Sequence, residues 1–386
     1  MPVDLPQSAE IIVVGGGVMG ASTAYHLAKA GAKDVLLLER ETFFGQGATG
    51  RCAGGIRYQF GTEINVRLSI ASLAMIERFA EELGQDPLYR KCGYLFVLTN
   101  HQDVETFRQN VAMQQRLGVG TQWLSGDEVR KRLPMMCFED ALAGSFNPMD
   151  GLSDPNSIVM GYVNRGRTLG ARFLTDVAVQ GIDVEGNRVR AVHTNAGTMA
   201  CDHLVNAAGP WAAQVGAMAG LDIPITPLRR QWVSTTALPD LPADFPFVID
   251  FAQSLYFHPE GEGVLTGMSN PHETPGLDQN IDPEWELIAL EAAVNRMPML
   301  EQAGRQTRLA GLYENTPDAH PIFGSTPVEG FWLVGGFSGH GFMHGPIAGV
   351  LMAEFVLEGK ASTIDVSMLD LTRFEEGRLI QEYNVV

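Results

Sequence analysis

The sharpest chemistry-bearing pattern in the chain is Gly15-x-Gly17-x-x-Gly20, followed by Glu39. In such a pattern the first glycine permits a tight turn, the second lets the backbone approach a pyrophosphate, and the third lets a helix pack closely on a strand. Amides at the helix start donate to phosphate, and an acid about twenty residues on accepts the ribose hydroxyls. That is dinucleotide chemistry, and the charge of Glu39 opposes a 2′-phosphate, so FAD or NAD is expected rather than NADP. A second glycine-rich loop, residues 43–60, carries Arg51 and Arg57, for which surface salt bridges are the plain alternative. A third candidate is FSGHGFMHGP, residues 337–346. His340 and His344 stand one helical turn apart, a metal-ligand spacing, but the intervening glycines and the lack of a neighbouring carboxylate argue against a metal. His340 is read as a wall residue, and His344 as a substrate or proton-handling contact.

The elements that must position these residues follow from periodicity. Glu10 to Val14 is an apolar run of strand length, Ala21 to Ala30 has helical spacing, and Asp34 to Leu38 is a second buried strand, which makes a βαβ unit around the glycines. A helix is expected from about Glu63 to Leu83, a strand at Tyr94 to Thr99, a helix at Ser157 to Gly170 and a hairpin over Val179 to Thr194. After the strand ending in Leu204-Val-Asn206, the small residues Ala207, Ala208 and Gly209 permit close backbone approach to a ligand. Proline-punctuated strands over 226–300 read as a separate antiparallel lobe. Phe331 to Gly335 is a strand, and a helix is expected from about Pro346 to Glu358, so the amides between them form an anion or carbonyl site.

Bulk properties narrow the class. With 386 residues, 45% hydrophobic, the chain can bury more than one core. A formal net charge of −18 argues against nucleic acid or an anionic membrane surface. Four cysteines without a CxxC pair indicate neither a disulfide framework nor structural zinc, and suit a reducing cytoplasm. Residues 11–28 are apolar over roughly the length of a membrane span, but glycines and His26 interrupt them and no basic flank precedes them, so no span or targeting segment is read.

Four stretches in this order, VVGGGVMG with Glu39-Arg40, GRCAGGIR, LVNAAGPWA and GLYENTPDAHPIFG…LVGGFSGHGF, resemble the FAD-dependent D-amino acid oxidase superfamily. Within it the sequence is most similar to sarcosine oxidases, especially the β subunit of the heterotetrameric form, and to the β subunit of dye-linked L-proline dehydrogenase. The resemblance implies an α/β fold. A Rossmann-like FAD-binding domain would be assembled from 1–85, 151–225 and 305–386, and a substrate domain on an antiparallel sheet from 86–150 and 226–304. FAD would lie extended, its adenosine near Gly15, Gly17, Val18, Met19, Gly20, Glu39, Arg40 and Val179, with Ala208 and Gly209 alongside. Thr49, Arg51, Cys52, Ala53, Gly54 and Gly55, and the loop Gly339, His340, Gly341, Phe342 and Met343, would line the isoalloxazine ring. The amides of Gly341, Phe342 and Met343 would stabilise negative charge at its pyrimidine end.

The implied reaction is oxidation of a small primary or secondary amino acid to the imine, with hydride passing to flavin N5. Arg57 matches the family's carboxylate-binding position, where a planar fork of donors suits the ligand. Tyr256 and Tyr313 match tyrosines flanking the substrate. Three departures stand out. Gly311 replaces the cysteine that bonds flavin in some members, so FAD is expected without that bond. Met343 replaces a lysine of sarcosine oxidases, and a lysine credited with oxygen activation is replaced around Leu265. These weaken the case for sarcosine itself and leave oxidase against dehydrogenase open, with O2 or another acceptor taking the electrons. A subunit that depends on a partner chain and an NAD-dependent dehydrogenase are the alternatives.

Overall fold

A computed structural model describes residues 5–385. Its central element is a six-stranded sheet in the order Ile322–Ser325, Phe331–Gly335, His203–Asn206, Ile11–Val14, Val35–Leu38, Arg172–Leu174. The strands run parallel except Ile322–Ser325 at one edge. Strands covered on both faces read as unbroken apolar runs, which is why Ile11–Val14 and Val35–Leu38 are IIVV and VLLL, every residue buried. Helices Val18–Lys29, Glu63–Glu77, Pro155–Thr168 and Gly341–Glu358 cover one face, and the antiparallel strands Val179–Glu185, Arg188–Thr194 and Gly197–Ala200 lie on the other.

Two of those helices cross at unusually short range. A Cβ on Gly345 would overlap Val18, and one on Gly349 would overlap Ser22, whose hydroxyl donates to the Pro346 carbonyl at 3.2 Å. Small residues at the crossing bring the N-termini of Val18–Lys29 and Gly341–Glu358 to one cavity. The second helix begins at Gly341, five residues before the start expected from sequence, and Pro346 lies inside it.

The second sheet has eight strands and is mixed rather than wholly antiparallel, because Phe247–Asp250 runs parallel to Tyr94–Leu98. Arg305–Asn315, expected with the cofactor-binding segments, instead pairs along its length with Thr226–Thr235 at the edge of this sheet. The helix expected over 63–83 is broken at Arg78 into Glu63–Glu77 and Phe79–Leu83. Among the described residues no helix is long and apolar enough to cross a membrane.

Candidate active site

One long cavity runs between the two sheets and encloses about 1960 Å³ of empty space, its open mouth included. One end is the glycine turn. Gly15 has φ +112°, a conformation that side chains disfavour, and a Cβ there would overlap the Ala207 carbonyl. A Cβ on Gly20 would overlap the Gly15 carbonyl, so the pair fixes how closely helix meets strand. The helix Val18–Lys29 has no side-chain cap and no acid in its first turn, which leaves its leading amides for an anion. Glu39 ends the second strand and is nearly buried, accepting from the amides of Gly16 at 2.6 Å and Glu41 at 2.8 Å. Burial pushes its carboxyl above the usual range, against the pull of those amides. Beyond it the Arg40 guanidinium lies 3.7 Å from the centre of the Trp211 ring.

A family model described as FAD dependent oxidoreductase matches residues 10–355. The chain belongs to this FAD-dependent oxidoreductase family. Over 386 aligned residues it is 30% identical to mouse mitochondrial sarcosine dehydrogenase, covering 96% of this chain and 42% of that protein. The chain thus spans less than half the length of the mitochondrial sarcosine and dimethylglycine dehydrogenases it matches. Among solved structures, L-proline dehydrogenase from P. horikoshii superposes with a TM-score of 0.89 at 33% identity, covering 97% of this chain and 100% of that one. Glycine oxidase from Geobacillus kaustophilus gives 0.84 at 27%, covering 95% and 99%.

The family match makes FAD rather than NAD the dinucleotide, and the residues lining the cavity fit it. The cradle of Gly15, Gly17, Val18 and Met19, with Ala208 and Gly209 facing it and Val179 beside Glu39, would hold the adenosine diphosphate half. Thr49, whose hydroxyl accepts from the Val18 amide at 3.1 Å, leads into Arg51, Cys52, Ala53, Gly54 and Gly55 along the next wall. Gly339, Gly341, Phe342 and Met343 form the wall opposite, where the first turn of Gly341–Glu358 carries no acid and no side-chain cap. Gly311 shows why no cysteine stands at that position. A Cβ there would lie 2.9 Å from the Arg51 Cβ, and Arg51 is itself fixed by donating to the Ala310 carbonyl at 2.8 Å. Burial pushes the Cys52 thiol up to about 12, so it faces the cavity as a neutral packing group.

Past the loop the cavity opens into an aromatic chamber lined by Tyr94, Trp232, Phe247, Tyr256 and Tyr313, with Met343 also in its wall. Burial raises the phenols of Tyr256 and Tyr313, so both stay protonated and can donate. Arg57 reaches this chamber but is already engaged. One guanidinium nitrogen donates to the Gln59 carbonyl and the other to the Asn384 carbonyl at 2.6 Å, with the Phe60 ring centre 4.1 Å away. The tail that supplies Asn384 is held by Glu382, which accepts from the Gly61 amide at 2.7 Å and from Asn65 at 3.0 Å.

Three expected site residues lie outside the cavity wall. Gly20 supports the cradle from behind. His340 and His344 share the helix face turned away from it: His344 meets Ser69 at 2.9 Å and His340 at 3.2 Å, and both rings pack on Phe60. Burial lowers both imidazoles, His344 to about 3, so the pair is neutral, and neither ring lines the cavity. From sequence alone, Arg229, Arg230 and Trp232 are equally consistent with facing the pocket and with a salt bridge or core packing. Strand alternation separates Arg229, which pairs with Glu273 and Asp278 at 3.1 Å each, from Arg230 and Trp232, which face the chamber.

Glu314 was missed altogether. It lines the cavity between Gly209 and Phe337, whose amide donates to it at 3.3 Å, while its other oxygen is buried without a partner. Burial raises this carboxyl from 4.5 to about 7. The folded chain therefore keeps a proton that the unfolded chain releases, so the contribution to stability is present at low pH and lost as pH rises through that window. Glu314→Gln should raise the melting temperature near pH 8, by on the order of 3 kcal/mol in stability, and leave it almost unchanged near pH 4. A difference between variant and parent that is independent of pH in calorimetry would refute this.

Proposed function

We propose that the chain oxidises a small carboxylated amine at its C–N bond, with Arg57 and the two tyrosines holding the substrate. The observation that carries the reading is the continuity of one cavity, from a dinucleotide cradle to an aromatic chamber containing arginine. FAD supplies the electron-accepting ring, and the protein's task is to orient the substrate and exclude water. Tyr256 and Tyr313 do both, as apolar walls with a donor at the tip. Met343 adds apolar surface, and the amides of Gly341, Phe342 and Met343 oppose negative charge accumulating against that wall. The carboxylate is received by the donors of Arg57 that remain beyond its two carbonyl contacts. Four free cysteines suit a reducing compartment such as the cytoplasm.

A panel of primary and N-substituted amino acids, run under air and then anaerobically with an artificial dye, tests the reaction and separates O2 from another acceptor. Bleaching of the flavin by a carboxylated amine is the expected result, and its absence across the panel rejects the reading. Gel filtration and co-purification decide whether a partner subunit completes the enzyme. Arg57→Met should raise KM for carboxylated amines by about 10-fold or more, the scale of one charge-assisted contact, with Arg57→Lys recovering part of the loss. An unchanged KM for every carboxylated substrate would remove Arg57 from the role.

A further inference from the structure

Arg230 lines the chamber and, among the described residues, forms no ion pair. It sits on Thr226–Thr235, directly across from Gly311, and its guanidinium lies 5.1 Å from the centre of the Tyr313 ring. One of its nitrogens donates to the Arg229 carbonyl at 2.9 Å, but Nε is buried without any partner. Among the described residues no carboxylate lies within ion-pair distance of it. Its neighbour Arg229 has three, at Glu273, Asp278 and Asp282. A buried donor of a permanent charge is costly to leave unmatched, and a chamber wall that carries one is built for an anion.

That anion differs from the one assigned to Arg57. Arg57 and Arg230 both line the chamber, on separate elements, and the charge of each reaches the phenol of Tyr313. The buried carboxylates of Glu382 and Asp150 act on Arg57 through their charge, whereas the groups that the charge of Arg230 reaches are the phenols of Tyr256 and Tyr313. The geometry points to a substrate with two carboxylates, an amine whose α-carboxylate meets Arg57 and whose second carboxylate meets Arg230 across Tyr313. This rests on the amine-oxidising reading above and narrows its substrate class to dicarboxylated amines.

The test uses flavin-loaded enzyme and the matched pair N-methylglycine and N-(carboxymethyl)glycine, which differ by one carboxylate. The dicarboxylate should have the higher kcat/KM, and Arg230→Met should lower it by about 10- to 100-fold while changing N-methylglycine by less than about 3-fold, with Arg230→Lys intermediate. A second readout needs no turnover. Shifts of the flavin spectrum on titration with unreactive glutarate and acetate should show glutarate binding weakened by the same factor in Arg230→Met and acetate binding unaltered. Equal losses for both substrates would place Arg230 on the shared carboxylate, and loss of bound FAD would place it in the cofactor site; either overturns the proposal. So does a wild-type preference for N-methylglycine. If no carboxylated amine bleaches the flavin, the amine-oxidising reading fails as well. Bleaching without a dicarboxylate preference rejects only the assignment of Arg230.

Discussion

Gly17→Val should yield a folded chain that purifies colourless and binds added FAD at least about 100-fold more weakly than the parent. Gly17 is the N-cap of Val18–Lys29 with φ −76° and ψ −173°, an extended conformation open to any residue. A Cβ there meets only the Thr49 hydroxyl, at 3.0 Å, and a threonine side chain can rotate aside. The fold therefore tolerates the change. The ligand does not, because a branched side chain would stand over the leading amides, and two charge-assisted contacts at about 1.5–3 kcal/mol each would be lost. Gly20→Ala is the contrasting case, since its added carbon would overlap the Gly15 carbonyl and strain the packing of helix on strand. Fluorescence titration with FAD and thermal melting of the flavin-free protein separate the two behaviours. Wild-type affinity in Gly17→Val would show that the diphosphate does not lie at this turn.

Arg373→Met should destabilise the chain by about 3–5 kcal/mol, the cost of stranding a buried partner charge. Arg373 and Asp318 are both fully buried and paired through two contacts, at 2.9 and 3.0 Å. The other guanidinium hydrogens go to the carbonyls of Leu369, Asp370 and His320, at 2.9 Å each. Burial opposes the ionised form of Asp318, yet the hydrogen bonds and charge of Arg373 hold its carboxyl below the usual range. The pair's contribution is therefore present above the ordinary carboxylate range and lost as pH falls through the depressed value. Denaturant melts at neutral pH should show the loss, and the Asp318→Asn, Arg373→Met double variant should recover part of it. A single variant as stable as the parent would show that the pair is not essential to the fold.

Legibility in the sequence followed the range of the interactions. The glycine fingerprint, its strand and Glu39 lie within one βαβ unit, where local spacing and local packing say the same thing, so this half of the site was readable. The register of Thr226–Thr235 depends on a sheet partner some eighty residues further on, so nothing local shows that Arg230 faces the chamber while Arg229 faces the acids. Strand alternation alone says that the two differ, not which is which. The stretch 337–346 misled through Pro346, which suggested a later helix start. With the first turn at Gly341, the backbone amides of the turn face the cavity, and the paired rings of His340 and His344 fall on the buried side. Glu314 escaped because its significance lies in an unpartnered oxygen, which no residue pattern displays.

The order of strands in the central sheet also dictates when the cofactor site comes into being. Ile11–Val14 pairs with Val35–Leu38 on one side, but on the other with His203–Asn206, which in turn pairs with Phe331–Gly335. Joining segments so distant along the chain requires large loops to close before parallel pairing compensates the lost chain entropy, which makes such topologies slow to form. The fingerprint turn is encoded among the first residues, whereas its facing wall at Ala208 and Gly209 lies mid-chain and the neighbouring helix begins only at Gly341. Retention of FAD therefore depends on long-range pairing, because the anion-binding turn by itself lacks the walls that would hold its ligand.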